Sequence, residues 1–378
     1  MKLSDKFSIF SGYAFKDFNT SQQGVPIIKI GNITADGRLN VDDVQYSTQT
    51  PNRKFYAQKG DFLIALSGAT TGKSTIYSLK DNQYLVNQRV GIIRPITNNV
   101  RTELFFKYYL QYISHLVLHR AHGSAQPNIS PKDLANFLLP CIDEKEQVEI
   151  GKLLSNIEEG IRVKQEQLKA LDELLQSRFT EMFGTLDMSK ASDDWQSLGL
   201  LAKIHTGTTP STTNADNWNG DILWITPAEI KSDSYYIYDT TRKITKQGQL
   251  SKSLTIMPRD TVLLSTRAPI GKVGIVGKPM ACNQGFKNFE CGKKLNPIFL
   301  YVLLKYNTTY LNSLGTGTTF KEISKSNVEK IKIPVPCVEK QNQFAEFVQQ
   351  VERAKEIVKI QIKDLQELLA LKMDEYFR

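Results

Sequence analysis

The sequence has little of what builds metal centres, redox sites or membrane spans. It holds four cysteines and four histidines among 378 residues, and no two cysteines form a Cys-x-x-Cys pair. A zinc ribbon or redox site is therefore disfavoured, and free, buried thiols in a reducing compartment are expected. No stretch reaches the roughly 18 uninterrupted apolar residues of a membrane span, and the first ten residues lack the apolar core of a secretory signal. We expect a cytoplasmic protein with no membrane association.

What the chain does contain is an internal repeat with a period close to 195 residues. Segment 59–76, KGDFLIALSGATTGKSTI, aligns with 258–275, PRDTVLLSTRAPIGKVGI, and VNQR (86–89) aligns with CNQG (282–285). Further aligned pairs are 6–15 with 201–210, 103–113 with 297–307, and 123–130 with 317–324. Each copy has β-branched runs and a stretch with helical periodicity, so two copies of one α+β domain are predicted.

Each copy is followed by a long stretch without proline, at about 143–183 and 339–377. Apolar residues recur there at a seven-residue spacing, which indicates a coiled-coil seam. The two seams align at a constant offset of 194 residues, and lysines and an arginine interrupt them. These cations either fix the register of the helices or extend to solvent. The predicted seam consists of Leu154, Ile157, Ile161, Leu168, Leu171, Leu175, Val348, Val351, Val358, Ile362, Leu365 and Leu369.

The predicted fold is therefore α+β, with two globular domains in tandem repeat separated by two long helices. Copies related by a two-fold axis would pair these helices as an antiparallel coiled coil. The globular domains would then lie at opposite ends of a rod roughly 54 Å long. The predicted boundaries are 1–142 for the first domain, 143–183 for its helix, 184–191 for a linker, 192–338 for the second domain and 339–378 for the last helix.

The net charge of +9 is distributed unevenly along the chain. Residues 1–142 carry 16 Lys and Arg against 9 Asp and Glu, and residues 192–338 carry 18 against 11. The helix at 143–183 is acidic, with 6 against 10, and residues 339–378 are nearly balanced, with 7 against 8. Two basic domains on an acidic or neutral spacer are the pattern expected of two nucleic-acid readers. Charge alone also fits two solvated basic surfaces.

The stretch SGATTGKST at 67–75 invites comparison with a nucleotide-binding loop. That loop needs a glycine where Ser67 stands and a helix after the lysine, whereas a β-branched, turn-rich segment follows here. The second copy has Val273 in place of the magnesium-binding Ser or Thr. ATP binding is therefore disfavoured. A turn whose glycine and lysine approach DNA phosphate is favoured instead, and a purely structural hairpin is the alternative.

Several motifs point to one family. Segment 206–230 reads TGTTPSTTNADNWNGDILWITPAEI and is followed by RAPIGKVGI (267–275) and NQGFK (283–287). The first copy has SGYAFKDF (11–18), IIKIGNI (27–33) and NQRVG (87–91), which are similar to another variety of the same domain. Over essentially its whole length the chain resembles the specificity subunit of type I restriction-modification systems.

The resemblance implies a role in a larger assembly. Each globular copy would be a target-recognition domain that reads one half of a split double-stranded DNA sequence, and half-sites about one helical turn apart suit readers on such a rod. The helices would set the half-site separation and dock two methyltransferase subunits, which bind S-adenosylmethionine. Two restriction-translocase subunits, which use ATP and magnesium, would complete the enzyme. This chain itself would hold no cofactor.

The candidate DNA-contacting residues lie in these motifs and in the loops around them. Amide groups suit adenine edges, and Lys and Arg suit phosphate and guanine, although a turn with local hydrogen bonds explains the amides equally well. The candidates are Lys16, Lys29, Ser67, Thr71, Lys73, Asn87, Gln88, Arg89, Gln126, Asn128, Thr208, Ser211, Arg267, Lys272, Asn283, Gln284, Lys287, Thr318 and Lys321.

Catalytic and metal-binding signatures are missing from the sequence. It has no Asp/Asn-Pro-Pro-Tyr/Phe motif of adenine methylation and no paired-carboxylate nuclease signature, so no activity is expected of the chain alone. His115, His119 and His122 share a helical face, but the second copy has no histidine there, which disfavours zinc. The alternatives are a basic ATPase or nuclease that acts on DNA and a coiled-coil bridging protein that does not bind DNA.

Overall fold

The computed structural model of the protein describes residues 1–79, 83–97, 101–121, 128–267, 269–316 and 321–378. It divides into two compact units. The first unit contains Met1–Gln165 and Ile360–Arg378, and the second contains Glu166–Lys359. Each unit therefore combines one copy of the repeat with a part of both long helices.

The first copy contains two small sheets and a long helix. Its elements are β1 (Phe7–Ser11), β2 (Val25–Ile28), β3 (Gln45–Ser47), β4 (Phe62–Ala65), β5 (Ser74–Ile76), β6 (Leu85–Val86), β7 (Val90–Pro95), α1 (Glu103–Ala121) and α2 (Pro131–Ala135), followed by α3 (Glu144–Phe183). Short 3-10 turns lie at Leu3–Asp5, Ile30–Asn32 and Arg53–Phe55. One sheet has the antiparallel order β1-β7-β4-β5. The other has the order β3-β2-β6, in which β2 and β6 are parallel.

The second copy repeats this plan. Its elements are β8 (Gln196–Ser197), α4 (Leu198–Leu201), β9 (Ala202–Thr206), β10 (Trp218–Ile225), β11 (Tyr236–Ile237), β12 (Arg242–Ile244), α5 (Lys246–Ser251), β13 (Val262–Leu264), β14 (Val273–Val276), β15 (Met280–Cys282), β16 (Lys287–Cys291), α6 (Pro297–Tyr306), α7 (Thr308–Ser313), α8 (Lys325–Glu329), β17 (Lys332–Ile333) and α9 (Val338–Phe377). Further 3-10 turns lie at Met188–Lys190, Ala215–Asn217 and Pro227–Glu229.

The strand order shows that the repeat is structural. The order β9-β16-β13-β14 matches β1-β7-β4-β5, and β11 is added beside β14 as a parallel strand. The order β12-β10-β15 matches β3-β2-β6 and keeps its parallel pair. A short ladder of β17 and β8 lies beside them. The prediction of two tandem α+β domains is therefore confirmed.

Apolar strands form the cores because their side chains are removed from water. All four residues of β4 are buried, and Phe62 and Ile64 pack with Phe105 and Tyr109 of α1. In the second unit, Val262 and Leu264 of β13 pack in the same way with α6. At roughly 25 cal/mol per Å² of apolar area, this burial is the main stabilising term.

The long helices pair antiparallel within each unit. In the first unit, Leu154 of α3 packs in one cluster with Met373 and Phe377 of α9. In the second unit, Phe179 of α3 lies 5.4 Å from Phe344 of α9, measured between ring centroids. A Cβ atom on Gly160 would lie 3.5 Å from Leu365 in the first unit, and Asp172 accepts from Lys355 in the second. Within each unit the partner residues on α9 therefore run backwards as α3 advances, as the sequence predicted.

The predicted seam is buried most deeply near the globular domains. Leu154, Ile157, Ile161 and Leu175 are buried on α3, as are Val348, Val351 and Val358 on α9. The remaining positions are half-buried, namely Leu168, Leu171, Ile362, Leu365 and Leu369. Within the described ranges, no helix combines the length and apolar character needed to cross a bilayer.

All four cysteines are free thiols, but the prediction that they are buried holds fully only for Cys282 and is wrong for Cys141 and Cys337. Cys141 and Cys337 are exposed, whereas Cys282 is buried and Cys291 is half-buried. Cys141 and Cys337 occupy matching positions just before the long helices, where the chain leaves the globular core.

Candidate nucleic-acid interface

The candidate residues of the first unit gather where four strands end. We call the loops that follow β1, β2, β4 and β6 the strand-end edge of this unit. Backbone hydrogen bonds join these loops: Tyr13 N–H donates to Val86 O (2.7 Å), and Gln88 N–H donates to Tyr13 O (2.9 Å). Asn87 N–H donates to Ile28 O at 2.9 Å. The loops meet because β2 and β6 are parallel and therefore end on the same side.

The second unit has the same edge, formed by the loops that follow β9, β10, β13 and β15. Thr208 N–H donates to Cys282 O (3.0 Å), and Asn283 N–H donates to Ile225 O (3.1 Å). Thr266 N–H donates to Gly285 O at 2.8 Å, which joins the loop after β13 to the others. Motifs that lie far apart in the sequence are thus brought together twice.

The repeated Asn-Gln pairs divide into one inward and one outward side chain. The Oδ1 atom of Asn87 accepts from Arg89 N–H at 3.1 Å, and Oδ1 of Asn283 accepts from Gly285 N–H at 2.9 Å. Both asparagines therefore hold a local turn. Gln88 and Gln284 beside them are exposed. Of each pair, the glutamine is the side chain that a ligand can reach.

The 67–75 stretch is a β-hairpin turn between β4 and β5, and no helix follows it. Gly72 has φ +88°, and a Cβ atom placed on it would lie 2.8 Å from the backbone nitrogen of Leu118. The corresponding Gly271 has φ +89°, and its Cβ would lie 2.7 Å from the Cγ2 atom of Thr308. The positive φ of the turn and the close packing on a helix explain why both positions are glycine. Because no helix follows the turn, the hairpin lacks the helix N-terminus that binds phosphate in a nucleotide-binding loop.

Not every hairpin candidate faces solvent. Thr71 is buried, and its hydroxyl donates to Gly68 O at 2.8 Å. The expectation that Thr71 contacts DNA therefore does not fit its position. Lys73 and Ser67 are half-buried, and Ser67 pairs with the exposed Asn128 in an isolated β-bridge.

The remaining cations of the first edge differ in how they are held. Lys16 and Arg89 are exposed. The Nζ atom of Lys29 lies 3.5 Å from the ring centroid of Phe18 and donates to Gln45. Burial lowers the pKa of Lys29 from its ordinary value. Lys29 is thus a positioned cation, whereas the two exposed side chains are free to adapt.

The second edge holds its cations with a carboxylate that the sequence analysis did not single out. The Nε atom of Arg267 lies 2.9 Å from Glu322 Oε2, and Nζ of Lys287 lies 3.5 Å from Glu322 Oε1. Lys287 is buried, so its predicted contact with DNA does not fit its position. Lys272 is half-buried and donates to Pro227 O at 3.0 Å, whereas Lys321 is exposed.

The other candidates are placed as follows. Thr208 is half-buried and Ser211 is exposed. Gln126 and Thr318 lie outside the described residues, as does His122. Sequence reasoning also missed Arg242, whose guanidinium carbon lies 3.6 Å from the ring centroid of Trp218. The sequence indicated the role of Glu322 only through its place next to Lys321. Its ion-pair partners, Arg267 and Lys287, lie far away in the sequence.

The described part of the chain contains no group of three or more His, Cys, Asp and Glu side chains arranged to hold a metal ion. A depression of the second unit, about 560 Å³, is lined by residues such as Gln176, Asp187 and Tyr306 and lies away from the strand-end edge. The strand-end edges present amide and cationic groups, the side-chain types that contact DNA bases and phosphates.

Comparison with known proteins identifies similar sequences. The family of the type I restriction modification DNA specificity domain matches residues 1–173 and 192–367. The MjaIX specificity subunit of Methanocaldococcus jannaschii is 36% identical over 177 residues, which are 46% of this chain and 41% of that protein. The putative MjaX specificity subunit of the same organism is 24% identical over 379 residues, covering 93% of this chain and 85% of that one.

Two solved structures share the fold. A structure determined in a study of the assembly and conformational transition of a type I system covers 100% of this chain and 97% of its own, with a TM-score of 0.61 and 18% identity. The S subunit of M. genitalium covers 100% and 95%, with a TM-score of 0.55 and 14% identity. With two matches that together span most of its length, the chain belongs to the type I restriction-modification DNA specificity family and is a non-catalytic DNA-recognition chain.

Proposed function

We propose that each strand-end edge reads one half of a bipartite DNA target, and that the long helices fix the distance between the half-sites. The repetition of the edge carries this proposal. Exposed Gln88 and Arg89 in the first unit, and exposed Gln284 in the second, follow the same parallel strand pair. Amide and guanidinium groups suit base edges in the major groove, and the basic excess of each copy supplies attraction to phosphate.

The proposed domain boundaries are those of the sequence analysis. Recognition domains comprise 1–142 and 192–338, spacer helices comprise 143–183 and 339–378, and 184–191 is the linker. The cytoplasm is the proposed location because the DNA target lies there.

The proposed complex contains further subunits. We expect the helices to dock two methyltransferase subunits, which bind S-adenosylmethionine and methylate adenine. Two restriction-translocase subunits would add ATP- and magnesium-dependent cleavage. One similar structure comes from a study of how such a system assembles, which supports looking for these partners.

The decisive experiment is to map methylated adenines in cells that express this chain with its methyltransferase partner. We expect a new split adenine-methylation motif. The double variant Gln88→Ala, Arg89→Ala should alter or relax only one half of that motif, and Gln284→Ala only the other half. A base contact of this kind is worth about 1–3 kcal/mol of discrimination.

Matched controls remove a charge at the opposite end of the strands. Lys59 precedes β4 and Lys278 precedes β15, and both are exposed. Lys59→Ala and Lys278→Ala should leave the motif unchanged. Absence of a split motif would refute the proposed function. If variants of one domain change both halves of the motif, the proposal that each domain reads one half-site is refuted.

A further inference from the structure

Two glutamates occupy equivalent places on the long helices but obtain their cations from different elements. Glu158 on α3 and Glu352 on α9 are related by the same offset of 194 residues that relates the two seams. Each lies where a long helix meets α1 or α6, the helices that correspond to each other in the two globular copies. The two contacts are therefore comparable residue by residue.

In the first unit the globular domain supplies the cation. The Nζ atom of Lys107 on α1 lies 2.5 Å from Glu158 Oε2. The hydroxyl of Tyr108 donates to the same oxygen at 2.8 Å. One turn along α3, Ile161 is buried and apolar. The carboxylate is thus neutralised across the contact between domain and helix.

In the second unit the long helix supplies its own cation. The Nζ atom of Lys355 lies 2.9 Å from Glu352 Oε1 and 2.8 Å from Asp172 Oδ1 of α3. Lys355 is only 3% exposed, and the side chain of Glu352 is 7% exposed. Lys355 stands at the position that Ile161 occupies in the first unit.

The globular domain of the second unit has an uncharged residue at the matching position, and its nearby cation, Lys305, donates to that residue's hydroxyl at 3.1 Å. Tyr301 stands where the first unit has Lys107. Its hydroxyl donates to Ser234 O at 2.7 Å. Val302, which replaces Tyr108, carries no polar side-chain group.

The surroundings of Glu352 are already rich in titratable groups. The rings of Tyr235 and Tyr301 lie 5.4 Å apart beside it, and Tyr306 and Lys305 also face it from α6. Burial lowers the pKa of Lys305, and the charge of Lys355 lowers it further. A further ammonium group in this place is therefore unfavourable.

We propose that these positions match each globular domain to its own long helix. A domain with a cation at the Lys107 position fits a helix with an apolar residue at the Ile161 position. A domain with an uncharged residue, such as Tyr301, fits a helix with a lysine, such as Lys355. The mismatched combinations place at the glutamate either the ammonium groups of both positions or neither of them. Loss of the cation is strongly destabilising for a buried carboxylate such as Glu352, which is 7% exposed. This inference is independent of DNA recognition.

A domain exchange tests the matching. In the first chimera, residues 2–143 replace residues 197–337. Lys107 then stands at the position of Tyr301, at the same distance along the chain from Glu352 of α9. Lys355→Ile is then made in the natural chain and in the chimera, and the unfolding midpoint of the second unit is measured by hydrogen exchange during thermal denaturation. We expect the substitution to lower the midpoint by about 5 °C in the natural chain and to raise it in the chimera.

The reciprocal chimera guards against a failure to fold. There, residues 197–337 replace residues 2–143, and Ile161→Lys should raise the midpoint in the chimera but lower it in the natural chain. Lys363→Ile, at an exposed position of α9, is the matched control and should have the same small effect in both backgrounds. If Lys355→Ile and Ile161→Lys each have the same sign in natural chain and chimera, the proposal is wrong.

Discussion

Asp61 of the first unit and Asp260 of the second unit, which are paired by the alignment of the two sequences, hold their charges in different ways. Asp61 is 1% exposed and accepts from Arg94 Nε at 2.8 Å and from its terminal NH2 group at 2.7 Å. Asp260 lies at the surface and accepts from the hydroxyl of Tyr236 at 2.7 Å. Strand order is the same around both residues, but the backbone hydrogen bonds place Thr261, and not Asp260, at the position of Asp61.

The difference teaches that the repeat preserves the backbone more strictly than the charges. Strand order depends on apolar residues that must be buried together, so it tolerates little change. A charge needs only one nearby partner, which several elements can supply. The same contrast separates Lys107, which lies on the globular domain, from Lys355, which lies on the long helix. It also separates the exposed Arg89 from Arg267, which pairs with Glu322.

The largest expected effect breaks the buried ion pair of the first unit. Asp61→Ala leaves the guanidinium of Arg94 without its carboxylate, and we expect a loss of roughly 3 kcal/mol. Asp260→Ala should cost at most about 1 kcal/mol because that position is exposed. Urea unfolding monitored by hydrogen exchange in β4 and β13 measures each unit separately. Equal costs at the two positions would contradict the comparison.

The second effect concerns the repeated hairpin glycines. Gly72→Ala should cost about 2 kcal/mol, because it combines a positive φ with a clash against the backbone of Leu118. Gly271→Ala meets only a methyl group of Thr308, so it should cost less. Gly60→Ala is the control for φ alone, since φ is +92° and nothing lies within 4 Å of its Cβ position. Thermal unfolding ranks the stability losses of the three variants. If Gly72→Ala destabilises no more than Gly60→Ala, close packing against Leu118 does not explain the glycine.

The third effect sharpens the comparison of the two DNA-facing edges. Arg89→Ala should weaken binding to DNA containing the target about tenfold and reduce the salt dependence by about one charge. Arg267→Ala should weaken DNA binding less, because Arg267 can contact DNA only if its ion pair with Glu322 is broken or shared with a phosphate. In the Glu322→Gln background, Arg267→Ala should have a larger effect than in the natural chain. Fluorescence anisotropy of labelled DNA over a salt series measures these affinities. If Arg267→Ala has the same effect on affinity with and without Glu322→Gln, the ion pair does not restrain Arg267.

The smallest effect concerns the four thiols. Burial raises the pKa of Cys282 and of Cys291 to about 12, so the reactive thiolate is scarce at pH 8. The exposed Cys141 and Cys337 should react quickly and at similar rates with a thiol reagent. Absorbance titration should count two fast thiols in the folded chain and four after denaturation. Fast reaction of Cys282 would show that the core around β15 opens.

Much of the fold was predictable because its signals are local or periodic. The seven-residue spacing from Leu154 to Leu175 predicted a helix that pairs with its repeat, and the pairing direction followed from the two-fold argument. The hairpin at 67–75 was distinguished from a nucleotide loop by the segment after it. The burial of Thr71 was not predictable, because it depends on a turn conformation set by Gly68 and Gly72.

The sequence alone determined the repeat, the two basic copies, the long helices and the family. Each follows from spacing or composition that a linear reading reveals. Only the tertiary structure decided that Arg267 meets Glu322, that Lys107 rather than residue 161 neutralises Glu158, and that the Asn side chains of the repeated Asn-Gln pairs turn inward. These facts depend on contacts between residues that are mostly far apart in the sequence. Several residues of suitable charge are available for each pair, and the tertiary structure determines which of them lie close together.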